Sequence, residues 1–290
     1  METSLFKFLT YEGFESVIRE KKLLFSNMNR WRKESDVCEN FMAYCLETES
    51  AYKAFLTACK EVGDKREDIL TKIALIYVYS YKTYALCFTI TGNRNSVALW
   101  NAYSEKIIDQ KTGDKLPGGK DGIRIEFAPE LYDDISLNNK DFSFFNGNVI
   151  YYEQIPTIKE VFGTVFDKEQ YKKIAFFRKI DAYAYEKEFR FVATKFQWID
   201  KLQIGLLPYA KKFDLSFEGI KDSMKTFLYP CNNEPFDDTK IQYTDHKLIK
   251  SIQVHPKASS DYFNKVENLC NEYNLNFSGR ADIFTKPFTK

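Results

Sequence analysis

The stretch DAYAYEKEFRFVAT, residues 181–194, decides the fold assignment because two carboxylates stand two residues apart at the start of an apolar run. From Tyr185 onward apolar and charged residues alternate, which predicts a β-strand. On such a strand Glu186, Glu188 and Arg190 share one face. Two like charges on one strand face repel each other, so the pair needs a neighbouring cation or a chemical task. A solvated face with Arg190 as the partner is the simpler interpretation, and a functional site is the alternative.

The composition excludes several functional classes. The chain has 290 residues, of which 44% are hydrophobic, and its 26 Phe and 19 Tyr can fill a substantial core. A formal net charge of +1 gives no overall field that would recruit nucleic acid or an anionic membrane. The only two histidines are His246 and His255. A His-rich metal centre is therefore nearly excluded, and acid–base chemistry falls to carboxylates.

The sequence also predicts the cellular compartment. No apolar run reaches the roughly 18 residues that cross a bilayer. The N-terminal segment METSLFKFLT lacks the basic and then apolar pattern of a secretory leader. The six cysteines show no C-x-x-C spacing, which favours free thiols over a disulfide framework. We therefore expect a cytoplasmic protein with no membrane partner.

The first third of the chain predicts two strands and a helical insertion. The strand SLFKFLT precedes a helix that Thr10 caps and whose apolar face is Phe14, Val17 and Ile18. The strand LLFSNM follows, and a helical pattern then runs from about residue 36 to 82 with a break at Gly63. No internal repeat or low-complexity linker interrupts the chain, so we expect a single domain over residues 1–290 that carries this insertion.

The remaining chain mixes strands and helices. The segments TYALCFTIT, IRIEF, GNVIYYEQI and KLIKSIQVHP predict strands, whereas NSVALWNAYSEK, KEQYKKIAFFRK and SSDYFNKVENLCNEYNL predict helices. Several strands are close enough along the chain to pair antiparallel. This favours an α+β fold over a doubly wound parallel sheet.

Most familiar catalytic signatures are missing. Neither GNRNSVALW nor DKLPGGKDG forms a phosphate-binding loop, and no nucleophile elbow occurs. Cys87 lies in an apolar strand and is interpreted as inert core. Trp100 and Tyr103, three residues apart on a helix, indicate core packing or a platform for a planar ligand. A magnesium ion held by the Glu186/Glu188 pair with Asp181 is an open alternative.

In chain order, the motifs resemble those of a large bacterial family long catalogued only as a domain of unknown function. The matching segments are Phe6-Lys7-Phe8, Cys87-Phe88-Thr89, the helix from Leu99 to Ser104, the strand from Gly122 to Phe127, the Tyr-Glu-x-Glu block from Lys179 to Arg190, and the turn from Ile249 to Pro256. Two departures occur. The family's Asn-Asp-Pro turn after the second strand is replaced by NRWRKESD, and the tryptophans of its last block are Tyr183 and Phe189.

The same arrangement resembles a divergent ADP-ribosyltransferase fold, which implies a mixed or antiparallel split β-sheet core. This resemblance implies that Glu188 is the catalytic carboxylate and that Glu186 is its companion facing the acceptor. It also implies that Lys7 touches the ribose or pyrophosphate of NAD, with Ser26 or Thr89 in the middle position. Of the remaining candidates for NAD binding, Tyr103 is suited to stack on nicotinamide, and Arg190 to hold a carboxylate or pyrophosphate oxygen.

The resemblance therefore implies an NAD-dependent ADP-ribosyltransferase-like protein, either a transferase or an NAD glycohydrolase, of the kind found among bacterial toxins and antiphage effectors. NAD would be its substrate, and a protein side chain or a nucleic-acid base its acceptor. The alternative is a catalytically inactive binding or sensor module of a defence or toxin system. In either case the helical insertion is a candidate lid or docking surface for a protein partner.

Overall fold

The computed structural model describes residues 4–28, 30–31, 36, 39, 41–81, 83–90, 96–104, 107–108, 115–116, 120–154, 157–162, 176–195, 214–228 and 237–282. The helices in these ranges are α1 (Tyr11–Glu20), α2 (Phe41–Tyr44), α3 (Glu49–Glu61), α4 (Arg66–Tyr81), α5 (Val97–Tyr103), α6 (Leu131–Asn138), α7 (Ile158–Phe162), α8 (Phe217–Leu228) and α9 (Ser260–Glu272). Two 3₁₀ helices span Asp181–Glu186 and His246–Leu248.

The strands in the same ranges are β1 (Leu5–Leu9), β2 (Lys22–Asn27), β3 (Thr83–Ile90), β4 (Ile107–Ile108), β5 (Lys115–Leu116), β6 (Ile123–Phe127), β7 (Phe142–Asn148), β8 (Ile150–Tyr152), β9 (Arg178–Ile180), β10 (Glu188–Lys195), β11 (Thr239–Gln242), β12 (Ile249–Val254) and β13 (Phe277–Arg280). Most of the strands form one sheet with the order β11-β2-β3-β1-β6-β12-β13, and β10 joins β3 to β7. The sheet is mixed but mostly antiparallel, with β12 and β13 parallel. The predicted α+β class is confirmed.

The centre of the sheet is split along one edge of β3. Strand β10 pairs with the other edge of β3, from Thr83 to Thr89. The remaining edge is shared, because β1 pairs only with Thr89 and Ile90, whereas β2 pairs only with Tyr84 and Ala85. Strands β1 and β2 therefore diverge beside the middle of β3, and this divergence opens the space in which the candidate site lies.

Helix α1 connects the two diverging strands, and its sequence explains its position. The Thr10 hydroxyl accepts a hydrogen bond of 3.4 Å from the Gly13 N–H, which caps the helix as predicted. Phe14 and Ile18 are fully buried, so this apolar face packs against the sheet. Lys21 is the C-cap, directly after the last residue of α1. Its backbone is left-handed, with a φ of 51°, and turns the chain into β2.

The two faces of the sheet bury different cores. Leu86 and Phe191 lie in a core packed by α1, α6 and α9, whereas Ala85 and Val192 lie in a second core with α3 and α4. Helices α2, α3 and α4 occupy the stretch for which the sequence predicts a helical insertion. Alternation along β10 puts Glu188 and Arg190 on the same face as Val192, towards these inserted helices. Among the described helices, none combines the length and apolar character needed to cross a bilayer.

Candidate functional site

The two carboxylates of the Tyr-Glu-x-Glu block lie on either side of a sharp turn. Glu186 is the last residue of the 3₁₀ helix, and Lys187 has a left-handed φ of 44°. Strand β10 begins only at Glu188, so the prediction of a strand from Tyr185 onward was wrong at its start. The reason is local, because the Lys187 N–H bonds the Ala184 carbonyl at 3.3 Å and closes a helical turn.

The two side chains converge in spite of this turn. The Lys179 ammonium, on β9, lies 2.7 Å from Glu186 Oε2 and 3.3 Å from Glu188 Oε2. The main-chain N–H of Glu188 donates to the Tyr151 hydroxyl at 2.8 Å, which fixes the first residue of the strand. The cation that the sequence interpretation required for the carboxylate pair is therefore a lysine from the neighbouring short strand, together with Arg190.

Residues from four separate parts of the chain line one small cavity at the split. Five predicted site residues are among its walls, namely Lys7, Thr89, Tyr103, Glu186 and Glu188. Further walls come from Cys87 and from the apolar residues Phe6, Phe8, Phe88 and Leu99. The cavity volume is about 20 Å³, which is enough for about one water molecule and too small for an aromatic ring.

Arg190 is fully buried and uses all five of its N–H donors within the protein. Its Nε and one Nη bond the two oxygens of Glu188, the latter at 3.2 Å. Both Nη atoms also bond Glu39, at 2.7 and 2.6 Å, and the fifth bond of 2.8 Å goes to the Phe176 carbonyl. Its guanidinium also lies 5.3 Å from the centre of the Trp31 ring.

The buried cluster contains three carboxylates and two closely paired cations. Burial alone would raise the pKa of Glu188, but the charges of Arg190 and Lys179 lower it to about 2. Burial raises the pKa of Glu39 to about 7, although Arg190 acts against this shift. Burial likewise raises the pKa of Glu186, against the pull of Lys179. Arg190 and Lys179 thus keep Glu188 ionised at neutral pH, whereas burial makes Glu39 and Glu186 hold a proton more tightly than usual.

Lys7 lines the small cavity and also a larger one of about 380 Å³ between α1, β1 and β2. The larger cavity combines apolar walls, such as Leu23 and Leu86, with Lys22 and Lys240. Burial lowers the pKa of the Lys7 ammonium, while the nearby carboxylates act in the opposite direction. The ammonium also lies 6.0 Å from the centre of the Tyr103 ring. Lys7 is thus the side chain that the two cavities share.

Two of the predicted site residues lie elsewhere. Ser26 is paired with Ala85, four residues along β3 from Thr89, and is not among the cavity walls. Arg190 lies behind Glu188, and this arrangement leaves it no N–H for a pyrophosphate. Within the described ranges, no group of three His, Cys, Asp or Glu side chains is arranged to hold a metal ion. The carboxylates of the cluster face Lys179 and Arg190 instead.

Sequence reasoning missed the parts of the site that come from irregular segments. Lys179 begins the Tyr-Glu-x-Glu block, but the sequence predicts no role for it, nor for Glu39 or Tyr151. Glu39 lies just after the segment NRWRKESD, at the start of the predicted helical insertion, where nothing in the helical pattern distinguishes it as a site residue. Its only signal is a charged residue in a stretch that has to pack against a buried strand.

Comparison with protein-family models, curated proteins and solved structures gives no match for this chain. The resemblance to the bacterial family and to the ADP-ribosyltransferase fold therefore stays a prediction from the motifs.

Proposed function

We propose that the chain is an NAD-dependent ADP-ribosyltransferase-like enzyme, a transferase or an NAD glycohydrolase, which acts as a bacterial toxin or antiphage effector. One observation carries the proposal. Five of the seven predicted site residues, from β1, β3, α5, the 3₁₀ helix and β10, line a single cavity. Motifs that are far apart in the chain thus supply residues that meet at one point.

The electrostatics of the two carboxylates suit the chemistry. When the bond between ribose and nicotinamide breaks, nicotinamide leaves with the electron pair and positive charge develops on the ribose. Glu188 is buried and ionised, so it supplies a fixed negative charge for that transition state. The pKa of Glu186 is raised, which suits a base that accepts the proton of the attacking hydroxyl, amine or water.

The direct test is the release of nicotinamide. Purified wild type, Glu188→Gln and the control Glu126→Gln would be incubated with NAD, and nicotinamide would be followed by mass spectrometry. Glu126 is a carboxylate on β6, which pairs with β1 and β12, and it accepts a hydrogen bond of 2.8 Å from the Ser251 hydroxyl. We expect release by wild type and Glu126→Gln, and about a hundredfold slower release by Glu188→Gln. No release by folded wild type, or equal release by Glu188→Gln, would contradict the proposal.

The toxin role has its own test in the host. An enzyme that consumes NAD slows growth when it is expressed, and Glu188→Gln relieves this effect. Equal growth of cells that express wild type and Glu188→Gln at the same level would contradict the proposed toxin role.

A second candidate is a binding or sensor module without catalysis. It is favoured by the small volume of the cavity and by the engagement of both Glu188 oxygens by Arg190. Calorimetry with NAD and ADP-ribose distinguishes the two candidates. Binding by wild type without any release of nicotinamide supports the module.

A further inference from the structure

We infer that Glu39 is a positioning residue, which holds Glu188 in place through Arg190 and so makes the turn at the start of the helical insertion a part of the carboxylate site. This inference rests on the proposed function for its catalytic meaning. The dependence of the Arg190–Glu188 pair on Glu39 is a structural claim, and it does not rest on the proposed function.

Arg190 divides its donors between the two carboxylates. Glu39 accepts two of its five N–H bonds and Glu188 accepts two. The two carboxylates therefore bond adjacent edges of one planar guanidinium and share one of its Nη atoms, so each restricts the orientation in which the other is bonded. Without the Glu39 carboxylate, the Nη atoms of a fully buried cation would have only one carboxylate partner. A buried guanidinium in that position shifts towards any acceptor within reach, and the angle it offers to Glu188 changes.

The turn at Asp36 and Glu39 is attached to both strands of the site. Asp36 Oδ2 accepts a hydrogen bond of 2.7 Å from the Ile180 N–H, next to Lys179 on β9. The Glu39 N–H donates to the Asp36 carbonyl at 3.0 Å, which joins the two acidic residues. Glu39 also lies 3.9 Å from the Lys179 ammonium. The turn thus contacts both cations that hold Glu186 and Glu188.

The turn also lies next to the inserted helices in the chain. It follows β2 and directly precedes α2, α3 and α4, and residues of α3 and α4 pack in one core with Ala85 and Val192 of the sheet. Glu39 therefore links this part of the chain to strand β10.

The test uses the full-length protein with three variants. Glu39→Gln keeps the shape and removes the charge, and Glu39→Asp keeps the charge and shortens the reach. The control is Glu20→Gln, which removes an exposed carboxylate paired with Lys240 at 2.7 Å. The first readout needs no substrate. It is the rate at which the Arg190 Nε–H proton exchanges with water, followed by ¹⁵N NMR.

We expect exchange about tenfold or more faster in Glu39→Gln, an intermediate rate in Glu39→Asp and an unchanged rate in Glu20→Gln. An unchanged rate in folded Glu39→Gln overturns the inference. If Glu39→Gln does not fold, Glu39→Asp decides alone, and a rate equal to wild type overturns it.

The second readout is nicotinamide release. We expect Glu39→Gln to lower kcat about tenfold or more with little change in KM, since Glu39 is not among the walls of the small cavity. We also expect Glu39→Asp to recover part of the loss. A loss confined to KM contradicts a positioning role. If wild type releases no nicotinamide while the Arg190 proton responds as described, the proposed function fails and the inference about Glu39 stands.

Discussion

The side-chain hydroxyl of Thr89 donates a hydrogen bond of 2.9 Å to the main-chain carbonyl of Glu186. Thr89 is buried on β3, whereas Glu186 ends the 3₁₀ helix, so this bond joins the sheet to the irregular segment that carries one of the two carboxylates. The Thr89 hydroxyl, which the resemblance puts in contact with NAD, thus bonds the segment that forms another wall of the small cavity.

Thr89→Val tests this anchor, since it keeps the shape of the side chain and removes its donor. We expect the free energy of unfolding to fall by about 1–2 kcal/mol, because the Glu186 carbonyl loses its partner in a buried place. Urea denaturation measures the change. The matched control is Thr57→Val on α3, where an exposed hydroxyl bonds the Lys53 carbonyl of its own helix. Equal shifts in the two variants would show that the Thr89 bond contributes nothing of its own.

Arg190→Lys keeps the positive charge, but we expect it to lower the free energy of unfolding strongly. A lysine has three donors in place of five and no planar fork, so part of the bonding to Glu39, Glu188 and the Phe176 carbonyl is lost. We expect a loss of about 3 kcal/mol or more in the free energy of unfolding.

The control for Arg190→Lys is Arg19→Lys. Arg19 bonds Glu15 and Glu272 at the surface, where such pairs contribute little. Chemical denaturation of both variants at the same pH makes the comparison. Similar losses in the two would mean that the buried network is not a source of stability.

The regular elements of this fold were predictable because their sequences carry a period. The short apolar segments of β1, β3 and β6 predict strands and the apolar face of α1 predicts a helix, and each of these elements was found. The α+β class follows from their order. The helix predicted over KEQYKKIAFFRK lies largely outside the described residues, and β7 was not predicted, although its aromatic residues line the edge of β10.

The site was predictable only as far as it lies on these regular elements. Lys7 and Thr89 could be predicted to lie near each other because they stand on β1 and β3, which pair beside them. The role of Arg190 could not be predicted, because it depends on Glu39, which is 151 residues away in a stretch whose helical pattern does not indicate which charged residue turns inward. The turn at Lys187 was also missed, since a lysine with a left-handed backbone leaves no signal in the sequence.

Lys7→Met tests the side chain that the two cavities share. Removing a half-buried ammonium relieves a desolvation cost, so we expect the free energy of unfolding to stay equal or to rise. We expect kcat/KM for nicotinamide release to fall about tenfold or more, because the cation next to the bound dinucleotide is lost. Lys22→Met is the control, since Lys22 lines only the larger cavity. Unchanged release by Lys7→Met would remove Lys7 from the site.

The pH dependence of stability tests the state of Glu39, which packs against Arg190, Lys179 and Glu188. Its pKa of about 7 in the folded protein lies above the ordinary value of about 4.3 for the unfolded chain. The native state therefore binds a proton more tightly, and the stabilisation from this proton is complete below the unfolded pKa. It is lost as the pH rises through about 7. In Glu39→Gln this loss is absent.

The measurement is the difference in free energy of unfolding between Glu39→Gln and wild type, from urea titrations between about pH 5 and 8. Groups common to both proteins cancel in that difference, so it should move in favour of Glu39→Gln as the pH rises and level off above the folded pKa. Glu20→Gln supplies the contrast, because its bonds with Lys240 and Ser16 lower the pKa of Glu20, and no change is expected over the same range. A flat difference for Glu39→Gln would mean that Glu39 is already ionised at pH 5 and that Arg190 outweighs its burial.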